Sequence, residues 1–384
     1  MSQHQKILKQ QHISMDRKFK ICWITSDWFV DVDIPIIPLL LRSFSIKWII
    51  VLYRGGRYKE SDFDNMKKLS GLSIEFIHVN QRARHPRTII NYWRLLRSIK
   101  KTRPDMTYFN MVPSSPYMVV VYYLLNREKT IFAAHDGSTK SIMGCIVPLM
   151  FRLCYGWHAK YVHMFSNTQA QEFRINYPGK NVTVIPLMPK YYGTPSMDCR
   201  TKEKTFLSFG SMHVEKNIGL LIQAAEGLYN EGYRDFKVSI CGKPVNWDVL
   251  YAPYIIHPEL FNLQLRMIDN AEIPDLFARH QFVVYPYKAM SQSGALKVAY
   301  AYKKPVIVSD LPAFKEEVKE GINGFFFKSE NVESLMNVMK RCLEMSDVEY
   351  SSLVYSTTSF IESHYSSEAI KDSYIRMFEQ ILDK

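Results

Sequence analysis

The sequence predicts an α/β protein made of two doubly wound, parallel-sheet domains in tandem, and three observations predict it. Short apolar runs rich in β-branched and aromatic residues recur along the chain. They are continuous rather than alternating, as in strands buried on both faces of a parallel sheet. Amphipathic stretches separate several of them, which gives the β-α alternation of a doubly wound fold. A break rich in proline, glycine and charge, "PKYYGTPSMDCRTKEK" (189–204), divides the alternation, and 384 residues exceed what one ordinary core fills.

The first twenty residues, "MSQHQKILKQQHISMDRKFK", are polar and basic with no apolar core, so they read as a frayed tail rather than a secretory signal. Met15 offers a second start close to the first strand, and residues 1–17 are expected to be flexible. The strands of the first half are "ICWITSDW" (21–28), "IKWIIVLY" (46–53), "SIEFIHV" (73–79), "MTYFNMV" (106–112), "TIFAAHD" (130–136), "YVHMFSN" (161–167) and "VTVIPLM" (182–188). Those of the second half are "TFLSFGS" (205–211), "FKVSICGK" (236–243), "LQLRMI" (263–268), "QFVVYPY" (281–287), "PVIVSD" (305–310) and "GFFF" (324–327). The expected domains are Rossmann-like, residues 1–198 and 199–384. A last helix near Glu368–Leu382 has no strand after it and is free to pack back on the first domain.

The helix "RTIINYWRLLRSIKKTRP" places Ile89, Trp93, Leu96 and Ile99 on one stripe, with Arg94, Arg97, Lys100, Lys101 and Arg103 largely elsewhere. Two readings stand together: a helix that covers the sheet, and one whose basic edge meets anionic lipid. Charge supports a polyanionic partner. Residues 1–198 hold 28 Lys and Arg against 13 Asp and Glu, while residues 199–384 hold 21 against 24, so all of the basic excess lies in the first half. Nucleic acid, lipid headgroups and a phosphorylated substrate all fit such an asymmetry, as does a solvated basic surface. No nucleic-acid module is present, and none would explain the second domain.

The six cysteines, Cys22, Cys145, Cys154, Cys199, Cys241 and Cys342, form no CxxC pair and no metal-ligand spacing, which suits reduced, packed thiols in a cytosol. No run reaches the length of a membrane span; "MVVVYYLL" (118–125) and "IMGCIVPLMF" (142–151) are too short. No GxGxxG follows a strand, so neither NAD nor pyridoxal phosphate has support.

In order and spacing, "FLSFGSMHVEKNIGLLIQAAEGL", "ICGKP", "IPDLFARHQFVVYPY" and "SQSGALKVAYAYKKPVIVSDLPAFKEEVKEGINGFFF" resemble the donor-binding half of a glycosyltransferase family 4 enzyme with the GT-B fold. "KTRPDMTYFNMV", "FAAHDGS", "FSNTQAQEFR" and "VTVIPLMP" are similar to the first-domain segments of that family. The resemblance implies a retaining transfer from a nucleotide diphosphate sugar, with the donor on the second domain and the acceptor on the first. Neither a cofactor nor a metal is expected.

The donor residues that the resemblance implies are Gly210, Ser211, Lys216, Gly242, Ser291, Gln292, Ser293, Gly294, Ala295 and Leu296. A helix opening at Ser293–Leu296 offers free N–H groups and a positive dipole end to a diphosphate, although the same residues suit an ordinary serine cap. Lys216 falls where the family places a lysine on the diphosphate, and Ser211 stands in place of the family's arginine. His135 corresponds to the family's histidine beside the reacting sugar; with Lys216 it is the implied catalytic pair. The first loop, where many relatives carry a glycine pair, instead supplies Asp27, Asp31 and Asp33, acidic side chains suited to hydrogen-bond the sugar hydroxyls of an acceptor, and Asp27 and Asp136 are the candidate acceptor contacts.

One departure from the family is plain. Its usual pair of glutamates, eight residues apart, is replaced by Met290 and Val298, and neither side chain accepts a hydrogen bond. Ser291, Gln292 and Ser293 lie beside the first position, and only Lys297 and Tyr302 are polar near the second. Two functions therefore stay open: a transferase building a surface glycan, peripheral at the inner face of the cell membrane, and a catalytically silent relative that binds a nucleotide or partner.

Overall fold

The computed structural model describes residues 18–82, 85–137, 146–196 and 203–382. The expected tail at 1–17, the alternative start at Met15, the boundary at 198/199, Cys145 and Cys199 lie outside the described residues. Two compact units result. The first comprises residues 1–165, 169–185 and 367–384, and the second residues 166–168 and 186–366.

The first unit is built on strands β1 (Lys20–Ser26), β2 (Ser45–Tyr53), β3 (Leu72–Val79), β4 (Met106–Asn110), β5 (Thr130–Ala134), β6 (Tyr161–Met164) and β7 (Asn181–Val184). They pair in parallel in the order β3-β2-β1-β4-β5-β6-β7. Continuous apolar strands bury both faces here: β4 and β5 are buried at every position. Helix α1 (Thr88–Thr102) and helix α2 (Pro116–Leu124) bury Tyr92, Leu95, Leu96, Ile99, Met118, Val121 and Tyr122 against the sheet.

The stripe expected on α1 is corrected. Ile89 and Trp93 are 52% and 63% exposed, whereas Tyr92, Leu95, Leu96 and Ile99 are buried. These four keep helical spacing themselves, so the inward face is turned from the expected one, and Ile89, Ile90 and Trp93 face solvent.

The second unit holds β8 (Lys204–Phe209), β9 (Phe236–Cys241), β10 (Phe261–Gln264), β11 (Phe282–Tyr285), β12 (Val306–Ser309) and β13 (Gly324–Phe327), in the parallel order β10-β9-β8-β11-β12-β13. β10 begins before the expected "LQLRMI", because Phe261 to Gln264 is the stretch that pairs with Val238 to Cys241. Helix α3 (Ile218–Asn230) follows β8 and helix α4 (Gly294–Ala301) follows β11. Each sheet reverses its strand order once, between β1 and β4 and between β8 and β11.

The helix Ser367–Leu382, last among the described residues, belongs to the first unit. Its Tyr374 and Phe378 pack on Trp23 at ring separations of 5.9 and 6.1 Å, and Phe378 also meets Phe44 at 5.5 Å. Cys22, Cys154, Cys241 and Cys342 are free and buried. Among the described residues, no helix is long and apolar enough to cross a membrane.

Candidate functional site

Ligands of open α/β sheets bind beyond the carboxyl ends of the strands, where the strand order reverses. In the second unit those ends belong to β8 and β11. Directly after β8, Gly210 has φ +122 and its N–H donates to Cys241 O at 3.0 Å. Gly242, after β9, has φ +154, and a Cβ there would stand 1.7 Å from the Gly210 carbonyl oxygen. Only glycine fits that approach, so bare backbone occupies this point.

The segment after β11 is tied to the same place. Lys288 N–H donates to Glu215 O at 3.0 Å, which fixes it to the turn Val214–Lys216. Lys216 Nζ lies 3.8 Å from the centroid of the Tyr287 ring, and the Tyr287 hydroxyl hydrogen-bonds to Ser293. Burial lowers the Lys216 ammonium to about 8, against the opposing pull of Glu215. Ser293 Oγ accepts from Leu296 N–H at 3.1 Å and caps α4. That leaves the amides of Gly294 and Ala295 without a partner inside the helix, at its positive end. A Cβ on Gly210 would come within 3.9 Å of Ala295 Cβ.

Gly210, Gly242, Lys216 and Ser293 to Leu296 are thus gathered in the second unit. Ser291 and Gln292 are half-buried just before the cap, and Ser211 is exposed. Sequence reasoning missed Lys190. It is 8% exposed, its N–H donates to Lys297 O at 3.0 Å, and its Nζ would stand 2.9 Å from a Cβ on Gly294. An ammonium therefore sits at the first turn of α4, although the sequence signals only a Pro-Lys dipeptide after a strand.

In the first unit the reversal lies between β1 and β4. Asp27 closes β1 and is 3% exposed; Oδ2 accepts from Tyr53 N–H at 3.1 Å, while Oδ1 has no hydrogen-bond partner. Burial raises its carboxyl above the usual range. Next to it Trp28, also missed in the sequence, is 55% exposed and stacks on Tyr53 at 5.1 Å. Asp31 is half-buried and Asp136 is exposed.

The expectation that Asp33 meets an acceptor is corrected: it is wholly buried, and its carboxylate accepts from Thr25 and Asn110. His135, after β5, is half-buried with Nε2 2.8 Å from Asn110 Oδ1. Its ring lies between Phe29, at 3.7 Å and 6°, and Phe165, at 4.5 Å and 21°.

Residues 203–345 match the family model described as glycosyl transferases group 1. This part of the second unit is similar to a group 1 glycosyl transferase domain. A stretch of 145 residues is 28% identical to the serotype-specific mannosyltransferase WbdA of Escherichia coli; it is 37% of this chain but spans only 17% of that protein. Both units share the GT-B fold of solved glycosyltransferases. A glycosyltransferase from Rickettsia africae is 17% identical with a TM-score of 0.73, covering 96% of this chain and 100% of that one. Anabaena HepE, solved with UDP and glucose, is 14% identical with a TM-score of 0.71, covering 94% and 99%.

Within the matched segment the two polar residues near Val298 are spent on the fold. Lys297 is fully buried and paired with Glu317, and burial holds its ammonium below the usual lysine range. The Tyr302 hydroxyl accepts from Tyr192 N–H at 3.1 Å and donates to Gly193 O at 3.2 Å. Val298 itself is 3% exposed.

Proposed function

We propose that the chain is a retaining glycosyltransferase that moves a sugar from a nucleotide diphosphate sugar to a glycan or lipid-linked glycan in surface polysaccharide biosynthesis. One observation carries this reading: two ammonium groups, Lys190 and Lys216, converge with the bare first turn of α4 and the Gly210–Gly242 backbone. Free amides and fixed positive charge are what a departing diphosphate needs. The anomeric carbon exchanges its bond to the diphosphate oxygen for one to an acceptor oxygen, and the acceptor's proton leaves with the diphosphate. Neither a metal nor a cofactor takes part. Lys190 takes over the charge that Ser211 lacks, and within the first unit His135, Asp27 through Oδ1 and Asp136 are the groups offered to an acceptor. The mannosyltransferase WbdA and HepE with UDP and glucose support this chemistry by kinship.

A thermal-shift panel of nucleoside diphosphates and their 2′-deoxy forms tests the donor side. A ligand at 100 times its Kd stabilises the native state by about 2.7 kcal/mol. Stabilisation by at least one diphosphate is expected, and none at millimolar concentration removes the reading; stabilisation without sugar transfer to any acceptor favours the silent relative. Ribose and deoxyribose forms should bind alike. A charge-assisted hydrogen bond from a glutamate at 298 would separate them by roughly tenfold or more, and Val298 makes none.

Affinity for the preferred diphosphate should also fall as pH rises through about 8, since Lys216 loses its charge there. Lys216→Arg, charged throughout, should abolish the fall in calorimetric titrations at pH 7 and 9.5. An equal fall in the arginine variant would assign it to another group.

For the acceptor side we propose that α1 rests on anionic lipid at the inner face of the membrane. Its solvent face joins Ile89, Ile90 and Trp93 to Arg94, Arg97, Lys100 and Lys101. Apolar insertion together with about 1 kcal/mol per nearby cation is the pattern of an interfacial helix. Flotation with phosphatidylglycerol vesicles should be salt-sensitive and should weaken when those four cations become glutamine. Unchanged flotation of the variant excludes α1 as the contact.

A further inference from the structure

A chain of hydrogen bonds with a fixed direction runs beneath His135. Trp48 Nε1–H donates to Thr25 Oγ1 at 2.9 Å, so the Thr25 hydroxyl proton is directed onward to Asp33 Oδ2. Asp33 therefore receives rather than gives, and Asn110 turns its amide nitrogen to both carboxylate oxygens at 3.1 Å. That orientation leaves only the Asn110 carbonyl facing His135, where it meets Nε2 at 2.8 Å. A carbonyl accepts and does not donate, so Nε2 carries the proton. Trp48, Thr25, Asp33 and Asn110 are all wholly buried. Phe29 and Phe165 clamp the ring from both faces and fix its plane.

We propose that Asp33 and Asn110 are positioning residues that hold His135 as the Nε2–H tautomer, with Nδ1 as the hydrogen-bond-accepting nitrogen of the ring. This rests on the reading that His135 meets the reacting sugar. The tautomer of a histidine is set by the hydrogen bond its other nitrogen makes, and here that bond is dictated from four residues away. A fully buried carboxylate beside a sheet end would otherwise be a net cost, and orienting a functional ring gives it a use. Burial raises the Asp33 carboxyl to about 7, so at pH 8 the carboxylate form prevails.

The test is the 15N spectrum of the histidine rings of the whole chain at pH 8, with His135 assigned through His135→Gln. A pyrrole-type Nε2 and a pyridine-type Nδ1 are expected for His135. Asp33→Asn should invert the pattern: its carbonyl stays on Thr25, its amide turns Asn110 around, and the Asn110 NH2 then faces His135, which must accept through Nε2. Asn110→Ala should abolish the preference for either tautomer. A pyridine-type Nε2 in the unaltered protein overturns the proposal, whether or not the variants fold. So does an unchanged pattern in a folded Asp33→Asn protein. Because no sugar transfer enters the readout, an Nε2–H ring in a chain that transfers nothing would leave this inference standing and remove only the proposed function.

Discussion

Lys216→Ala is expected to lower sugar transfer by about 10²–10³-fold, the loss typical when one preorganised donor to a developing oxyanion is removed. The ammonium is half-buried over Tyr287, and burial already lowers it to about 8, so it is poorly compensated until negative charge arrives. Charge that develops on the leaving diphosphate strengthens this contact more than ground-state binding does, which places the loss in kcat as well as kcat/KM. Stability should barely change, because deleting a desolvated cation removes a cost along with a contact. Initial rates and a melting curve on the same preparation decide the matter: turnover within about twofold of the unaltered protein would end the catalytic assignment of Lys216.

The largest effect on stability should come from Lys297→Ala, which strands Glu317 in the second unit. Lys297 is fully buried, its Nζ also lies 3.8 Å from the Tyr365 ring centroid, and the Tyr365 hydroxyl reaches Glu317 at 3.4 Å. Removing one partner of a buried pair typically costs about 3–5 kcal/mol, because the other charge is left without compensation. The double variant Lys297→Met with Glu317→Gln should recover much of the loss, since no net charge then remains inside. Urea denaturation of both proteins tests this. A single variant within about 1 kcal/mol of the unaltered chain would mean that Glu317 finds another partner.

The strands were legible because a strand buried on both faces writes a continuous apolar run, and every run marked in the sequence holds a strand. Ser293 was legible as a helix cap for an equally local reason: the capping bond spans three residues. Lys190 and Asp33 were not legible. Lys190 reaches α4 from a segment about a hundred residues earlier, and Asp33 is buried by partners from β1 and β4. On α1 the pattern held two apolar stripes, one through Ile89 and Trp93 and one through Tyr92 and Leu95. Only packing against the sheet decides which turns inward. The loss of polar function at Val298 was readable, but that Lys297 and Tyr302 are already occupied was not.

The helix Ser367–Leu382 makes the first unit discontinuous: the residues that shield Trp23, Phe44 and Tyr108 come from the far end of the chain. A ribosome delivers the amino-terminal unit first, and domains ordinarily fold in that order during synthesis. Here that order cannot finish. The aromatic face of the first unit waits uncovered while the entire second unit is translated, and at 5–20 residues per second the interval lasts on the order of ten seconds or more. Nascent chains should therefore engage chaperones through this face, and completion of the first unit should be timed by the helix Ser367–Leu382 rather than by its first sheet.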